Sequence, residues 1–349
     1  MKLNYKELDN KFQNNLKLQI GSNPKKLLNL MKKVLYVVNI ILLGVLIYII
    51  QYPEIQKSKI VKAKIAWYPS PASFPLFVAK EKGFFEEGKL EVEIFKTSAP
   101  EVIDNLKKGR VDIVVGFPPV DFFIRQRAEI ENFRIMADVE TDADFVYASI
   151  FGFGKLKSIK NIKNSMFYIS KDRLEGKVIA RKFEKIFGFD VKNLFEYSTL
   201  FPQIKEGGAL VYMPFREYLI KAKEKVLVED VFKEYMGEPY IIGSVFCSKV
   251  TLAYNPRAYE RFNRIWDKAI DFIRNNPEEA KILYISYCIQ NLDADFLLRE
   301  DFKEMNLNMP KFKKTNEISD LPYLSIIRNL KNTEFIYTEP DIGVLFGEK

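Results

Sequence analysis

Histidine is absent from all 349 residues. Its absence excludes His-dependent catalytic triads, imidazole general bases and histidine metal sites. Cysteine is nearly absent, because Cys247 and Cys288 are the only thiols. Two are too few for a structural zinc set or a disulfide framework, and they are expected to be unpaired and buried. Excess positive charge is also missing from most of the chain, although the net charge is +8. Eight lysines against Glu7 and Asp9 place +6 within residues 1–33, which leaves +2 for everything after them. A polyanion partner needs basic residues spread over a folded surface, so no nucleic-acid partner is expected.

One long stretch lacks charge altogether. Residues 34–50, VLYVVNIILLGVLIYII, hold seventeen uncharged side chains of which only Asn39 is strongly polar. At about 1.5 Å per residue this covers roughly 26 Å of a hydrocarbon core about 30 Å thick. A buried globular helix would show a polar face, so the run reads as a transmembrane segment. The lysines before it should stay cytoplasmic, which sends the rest of the chain to the extracytoplasmic side. No Ala-x-Ala pattern and no cysteine follows the run, so an uncleaved signal anchor is expected rather than a cleaved or lipid-modified leader.

Beyond the linker at 52–61, strand and helix signals alternate as in α/β units. Strands are expected at 62–67, 90–95, 111–115 and 133–139. Helices are expected at 75–85, after Thr97 or Ser98 with Pro100 in the first turn, and from Pro118-Pro119. A second series begins near Phe145: strands at 144–151 and 166–169, a glycine-rich turn at 152–154, and a helix from a Ser170 cap to Phe187, stopped by Gly188. Short strands at 194–197 and 209–212 alternate with helices from about Phe201 and Pro214. A strand at 240–248 leads out, and helices at 256–273, 277–290, 294–305 and 318–329 finish the chain. Two α/β lobes joined by two crossings make a hinge-cleft architecture.

Particular residues carry a family resemblance over about 62–290. Phe77-Val-Ala-Lys-Glu-Lys-Gly-Phe-Phe-Glu-Glu87, Leu90-Glu-Val-Glu-Ile94, Leu106-Lys-Lys-Gly-Arg-Val-Asp-Ile113, Ser158-Ile-Lys-Asn-Ile162 with Gly176-Lys-Val-Ile179, and Asn275-Asn-Pro-Glu-Glu-Ala280 occur in order. Together they resemble the substrate-binding proteins of ABC importers for thiamine-precursor pyrimidines, alkanesulfonates, taurine and nitrate. The resemblance implies an α/β, two-lobed type II periplasmic binding-protein fold with a hinge cleft, here preceded by one N-terminal transmembrane helix. The segments are then a basic cytoplasmic stretch 1–33, an anchor 34–51, the linker 52–61, the first part of lobe one 62–145, lobe two 146–245, and a return to lobe one with C-terminal helices 246–349. One departure stands out: Glu206-Gly-Gly-Ala-Leu-Val-Tyr212 lacks the Asp that the family often carries before this strand, which leaves the ligand class open.

In open α/β sheets, ligands bind beyond the carboxyl ends of strands. The residues at those ends are Trp67, Tyr68, Ser73 and Phe74 after strand one, Ser98 after strand two, Gly116 and Phe117 after strand three, Ser170 in the second lobe, and Tyr212 and Met213 at the end of its strand 209–212. Aromatic faces there can stack a flat ring, and helix N-termini can hold an acid group. Each has a plainer role beside it: core packing for Trp67, helix capping for Ser98 and Ser170, turn filling for Phe117. The lysine-rich run 155–163 reads as a solvated face. The expected function is capture of a small-molecule ligand for an ABC permease and ATPase, by a monomer tethered to the membrane, with no cofactor, metal or catalytic residue. Signalling through the membrane helix is the alternative, and a non-transport enzyme on the same fold a lesser one.

Overall fold

The computed structural model describes residues 24–126, 129–142, 144–197, 204–302 and 307–346. They belong to two units, one ending at Lys59 and the other running from Ile60. In the first unit a single helix, Pro24–Ser58, runs beyond both ends of the expected segment. Its stretch Met31–Tyr48 has a mean hydropathy of 1.8 and none of it is buried, so by length and composition it can cross a membrane. Leu35, Tyr36, Ile41, Leu42 and Leu43 are all more than half exposed, an apolar surface that water disfavours at about 25 cal/mol per Å².

The second unit is built on two sheets of one plan. Strands β1 Val61–Trp67, β2 Leu90–Lys96 and β3 Ile113–Phe117 form a parallel set with β1 in the middle. The next strand in chain order is β4 Phe133–Glu140. The second sheet holds β5 Ala148–Phe153, β6 Phe167–Ser170, β7 Leu194–Tyr197, β8 Gly207–Tyr212 and β9 Lys225–Val228, in the order β7-β6-β8-β5-β9. Strands β10 Ile241–Ser248 and β11 Lys311–Phe312 return to the first sheet, whose order is β11-β4-β10-β3-β1-β2. In each sheet the strand that arrives from the other one, β5 or β10, is inserted antiparallel beside the third parallel strand. The two crossing segments lie side by side, since the Thr141 amide donates to the Tyr240 carbonyl (2.8 Å) and the Tyr240 amide to Thr141 Oγ1 (3.0 Å).

Local chemistry accounts for the boundaries, including those that differ from expectation. The helix expected at 75–85 is two helices, Phe74–Glu81 and Phe84–Glu87, because Gly83 takes a left-handed φ of 69° between them. Ser170 is not a helix cap: it ends β6, a turn follows, and the helix Glu175–Phe187 starts five residues later before stopping at the left-handed Gly188. The expected glycine-rich turn is shorter than its sequence, since Gly152 and Phe153 continue β5. A Cβ on Gly152 would meet the Leu156 carbonyl at 2.4 Å. The expected helix at 294–305 is replaced by the 3-10 turns Asp295–Leu298 and Glu300–Phe302, and residues 303–306 lie outside the described residues. The last long helix is Leu321–Asn332 rather than 318–329. The helix expected from Phe201 begins outside the described residues. Both thiols are unpaired and fully buried, and burial pushes each up to about 12.

Gly116 is the tightest backbone position at the carboxyl end of the first sheet. Its φ is +75°, and a Cβ there would sit 2.0 Å from Ser73 Oγ and 3.1 Å from the Ser73 amide. Gly116→Ala combines a left-handed penalty with a collision in a buried, hydrogen-bonded turn. It is expected to lower the stability of the second unit by about 3 kcal/mol or more, read as a drop in the urea midpoint at unchanged slope.

Candidate functional site

The loop after β1 is pinned by its own serines. Ser73 Oγ donates to the carbonyls of Tyr68 (2.7 Å) and Val115 (3.2 Å), while Ser70 Oγ donates to the Gly116 carbonyl (2.9 Å). Tyr287 OH adds a bond to the Ser70 carbonyl (2.7 Å). The serine hydroxyls tie the loop to β3, the Tyr287 hydroxyl ties it to the helix Pro277–Asn291, and the helix that follows the loop has no side-chain cap. Their effect is to present Tyr68 in one orientation, edge-on to Phe117 at 5.6 Å between ring centroids.

Facing Tyr68 from the second sheet is the turn 171–174, and from it Arg173 reaches across. Its guanidinium donates to the Pro69 carbonyl (3.1 Å) and to Tyr147 OH. It lies 4.6 Å from the Tyr212 ring centre, 5.5 Å from Tyr68 and 5.7 Å from Tyr147. Only 12% of the Arg173 side chain is exposed. Two further bonds cross the same seam: Tyr68 OH donates to the Asp172 carbonyl (3.1 Å), and the Leu174 amide donates to Asp121 Oδ2 (3.2 Å). The result is a cage of tyrosines between the sheets with a cation at its centre.

Two carboxylates complete it. Glu175, fully buried, accepts from Tyr240 OH at 2.6 Å and lies 3.8 Å from Arg173 Nη1. Asp121, also fully buried, has Arg125 Nε 3.7 Å from its other oxygen. Three buried polar atoms here have no hydrogen-bond partner: Asp121 Oδ1, Glu175 Oε2 and Tyr212 OH. Burial pushes Asp121 up to about 7 against the pull of Arg125, and Glu175 up to about 7 against the pull of Arg173. Burial likewise raises the phenols of Tyr68, Tyr147, Tyr212 and Tyr240, so all four are neutral hydroxyls at ordinary pH.

Of the residues singled out in the sequence, Tyr68 and Tyr212 meet at this cage, with Phe117 behind Tyr68. Met213 joins it through the backbone, its amide donating to the Tyr147 carbonyl (2.9 Å). Ser73 and Gly116 shape the loop rather than face the cation. Trp67 packs edge-on to Phe77 at 5.0 Å with the Lys96 amine over its ring. Phe74 is core, among Tyr284, Tyr287 and Phe312. Ser98 is exposed and donates to Glu101 (2.8 Å), and Ser170 accepts a long 3.4 Å bond from the Arg173 amide through its carbonyl. Arg173, Asp121, Glu175, Tyr147 and Tyr240 were missed. The signal was Lys171-Asp-Arg-Leu-Glu-Gly176, six residues with four charges directly after a strand, which reads as solvated until the fold folds it inward.

A larger cavity, about 980 Å³, lies elsewhere, lined by Arg134, Met136, Cys247, Asn263 and Asp320 among others. It contains none of the residues of the cage. The cage is the stronger candidate site because three orphaned polar atoms converge where two sheets meet.

Strand order, antiparallel crossing strands and an interlobe polar cage define a two-lobed periplasmic binding-protein fold of type II. The chain belongs to the NMT1/THI5-like family, whose profile matches residues 70–280. A Haemophilus influenzae protein described as "Putative thiamine biosynthesis protein" is 24% identical over 242 residues, covering 67% of this chain and 75% of that one. Among solved structures, the periplasmic aliphatic sulphonate binding protein SsuA from Escherichia coli superposes with a TM-score of 0.60 at 12% identity, covering 82% of this chain and 92% of its own. The desulfurization enzyme DszB shares the fold as well, with a TM-score of 0.56 at 10% identity over 82% of this chain and 97% of its own.

Asp121 and Glu175 are raised above the ordinary carboxylate range, so they bind protons more tightly folded than unfolded. Their contribution is complete below about pH 4 and is lost as pH rises through about 7. The thermal midpoint is therefore expected to fall between pH 5 and pH 8, with Asp138, which burial also pushes up to about 7, adding to the drop. Glu175→Gln should flatten that profile while leaving the Asp138 part, and a profile identical to wild type would remove Glu175 from the account.

Proposed function

We propose that this chain is an extracytoplasmic solute-binding protein whose two lobes close on a small planar heterocycle bearing N–H donors, of the pyrimidine kind, for delivery to an ABC permease and its ATPase. The N-terminal apolar helix serves as its signal anchor. The observation that carries the reading is the set of orphaned atoms in the tyrosine cage: two buried carboxyl oxygens and a phenol without partners. A ring with amino and ring-nitrogen groups satisfies acceptors and donors together, and stacks on Tyr68 or Tyr212. A sulfonate or nitrate offers only acceptors and would leave Asp121 Oδ1 and Glu175 Oε2 without a hydrogen-bond donor, at about 1–3 kcal/mol for each group.

Binding fits the described residues better than chemistry does. The thiols, buried and raised to about 12, are not thiolates at neutral pH, and there is no imidazole to act as a base. The form in which Tyr68 and Asp121 of one lobe meet Tyr147, Tyr212 and Glu175 of the other is the one a ligand contacting both lobes favours.

Calorimetry on the detergent-solubilised full chain tests the ligand class. 4-Aminopyrimidine should bind and ethanesulfonate and nitrate should not, with Asp121→Asn weakening the pyrimidine by about tenfold. Binding of ethanesulfonate in place of the pyrimidine would overturn the ligand assignment.

A further inference from the structure

A tyrosine cage proposed to take a planar, N–H-rich group already holds one. The Arg173 guanidinium is a flat cation with donors around its rim, set against three phenol rings and donating to a carbonyl and a hydroxyl. A close-packed interior has no room for a second group of that shape while the first is in place. We propose that Arg173 is a built-in placeholder: its guanidinium fills the ligand cage of the empty protein, bolts the two lobes together, and is displaced when the ligand enters.

The turn that carries Arg173 is fastened lightly enough to move. Apart from the Arg173 side chain's own bonds and the first helical bonds accepted by the Leu174 carbonyl, its bonds are the 3.4 Å contact from the Arg173 amide to the Ser170 carbonyl, the 3.2 Å contact from the Leu174 amide to Asp121, the Tyr68 bond to the Asp172 carbonyl, and one shorter bond from the Lys171 amide to the Tyr197 carbonyl (2.9 Å). All but the first and last of these cross the seam, so withdrawal of Arg173 and separation of the lobes are one event. The side chain's ion pair with Glu175 is a long one, at 3.8 Å. Once Arg173 leaves, Glu175 Oε2 loses its ion-pair partner and becomes available to a donor on the ligand. Apparent affinity is then the intrinsic affinity reduced by the small fraction of protein in which the cage is vacant.

The placeholder rests on the ligand-binding reading for the identity of its competitor, though not for its own occupancy of the cage, and the test separates the two. Nitroxide labels on Glu101→Cys and Lys192→Cys, both exposed and on different lobes, report the interlobe distance by pulsed electron resonance in the detergent-solubilised full chain. Arg173→Ala is expected to lengthen that distance by about 5 Å, and millimolar methylguanidinium to restore it while methylammonium, of equal charge but not planar, does not. The same substitution should tighten 4-aminopyrimidine binding by about tenfold. Arg173→Met, which keeps the bulk of the stem, repeats the measurement if the alanine variant shows no cooperative thermal transition. An unchanged distance in the folded variant, or pyrimidine binding weakened tenfold instead of tightened, would overturn the proposal, the second result making Arg173 a direct ligand contact. If the pyrimidine binds no form of the protein, the ligand assignment fails alone and methylguanidinium rescue still decides the placeholder.

Discussion

A guanidinium held between aromatic rings from two sheets is the interaction around which the second unit is arranged. Arg173 is almost fully buried, and a buried cation is tolerated only where surrounding dipoles, rings and carboxylates replace its water. Tyr68 and Pro69 come from the end of β1, Tyr212 from β8, Tyr147 from the segment entering β5, and Glu175 from the first residue of a helix. No single element could supply that shell. It exists because the strand order repeats in both sheets and points two sets of carboxyl ends at one seam.

The seam is supported from below by a second polar cluster near the crossings. Lys313, just beyond β11, pairs with Glu140 and lies 3.8 Å from Asp138, while Tyr323 OH shares a 2.7 Å bond with Ser244 Oγ. The helix Leu321–Asn332 then reaches the other lobe: Ser325 and Asn329 donate to the Met236 carbonyl at 3.0 and 2.7 Å, and Lys182 bonds to both Asn329 and the Tyr235 carbonyl. The Lys185 amine also donates to the Asn332 carbonyl at 2.6 Å. These bonds sit beside the residues that lead into the return crossing at Tyr240.

Fold likeness and site chemistry carry different weight on this fold. Sulfonate binding and desulfurization occur on backbones of the same plan at 10–12% identity, so the plan alone selects neither. The selection is made by a handful of side chains at strand ends. In this chain the side chains gathered at the seam include phenols and two carboxylates that burial raises into the neutral range.

Much of the architecture was legible in the chain before any coordinates. The apolar run at 34–50, a helix beginning at about Pro75, the strands near β1, β2 and β3 and the stop at Gly188 all follow from periodicity, capping and glycine chemistry, which are local properties. Strands β9 and β11 were not legible, being four and two residues long and stabilised by partners far away in sequence. Tyr68 and Tyr212 could be picked out because they end strands, whereas Phe74 could not be told from a cleft residue until Tyr284 and Tyr287 were seen to cover it. The largest omission was Arg173. Within Lys171-Asp-Arg-Leu-Glu-Gly176 every local rule puts an arginine in water, and only the approach of the other lobe, 104 residues away in sequence at Pro69, takes that water away. Sequence decided which segments are strands and which helices, because those choices depend on neighbours along the chain; the site was decided by tertiary structure, because burial of a charge depends on what folds over it.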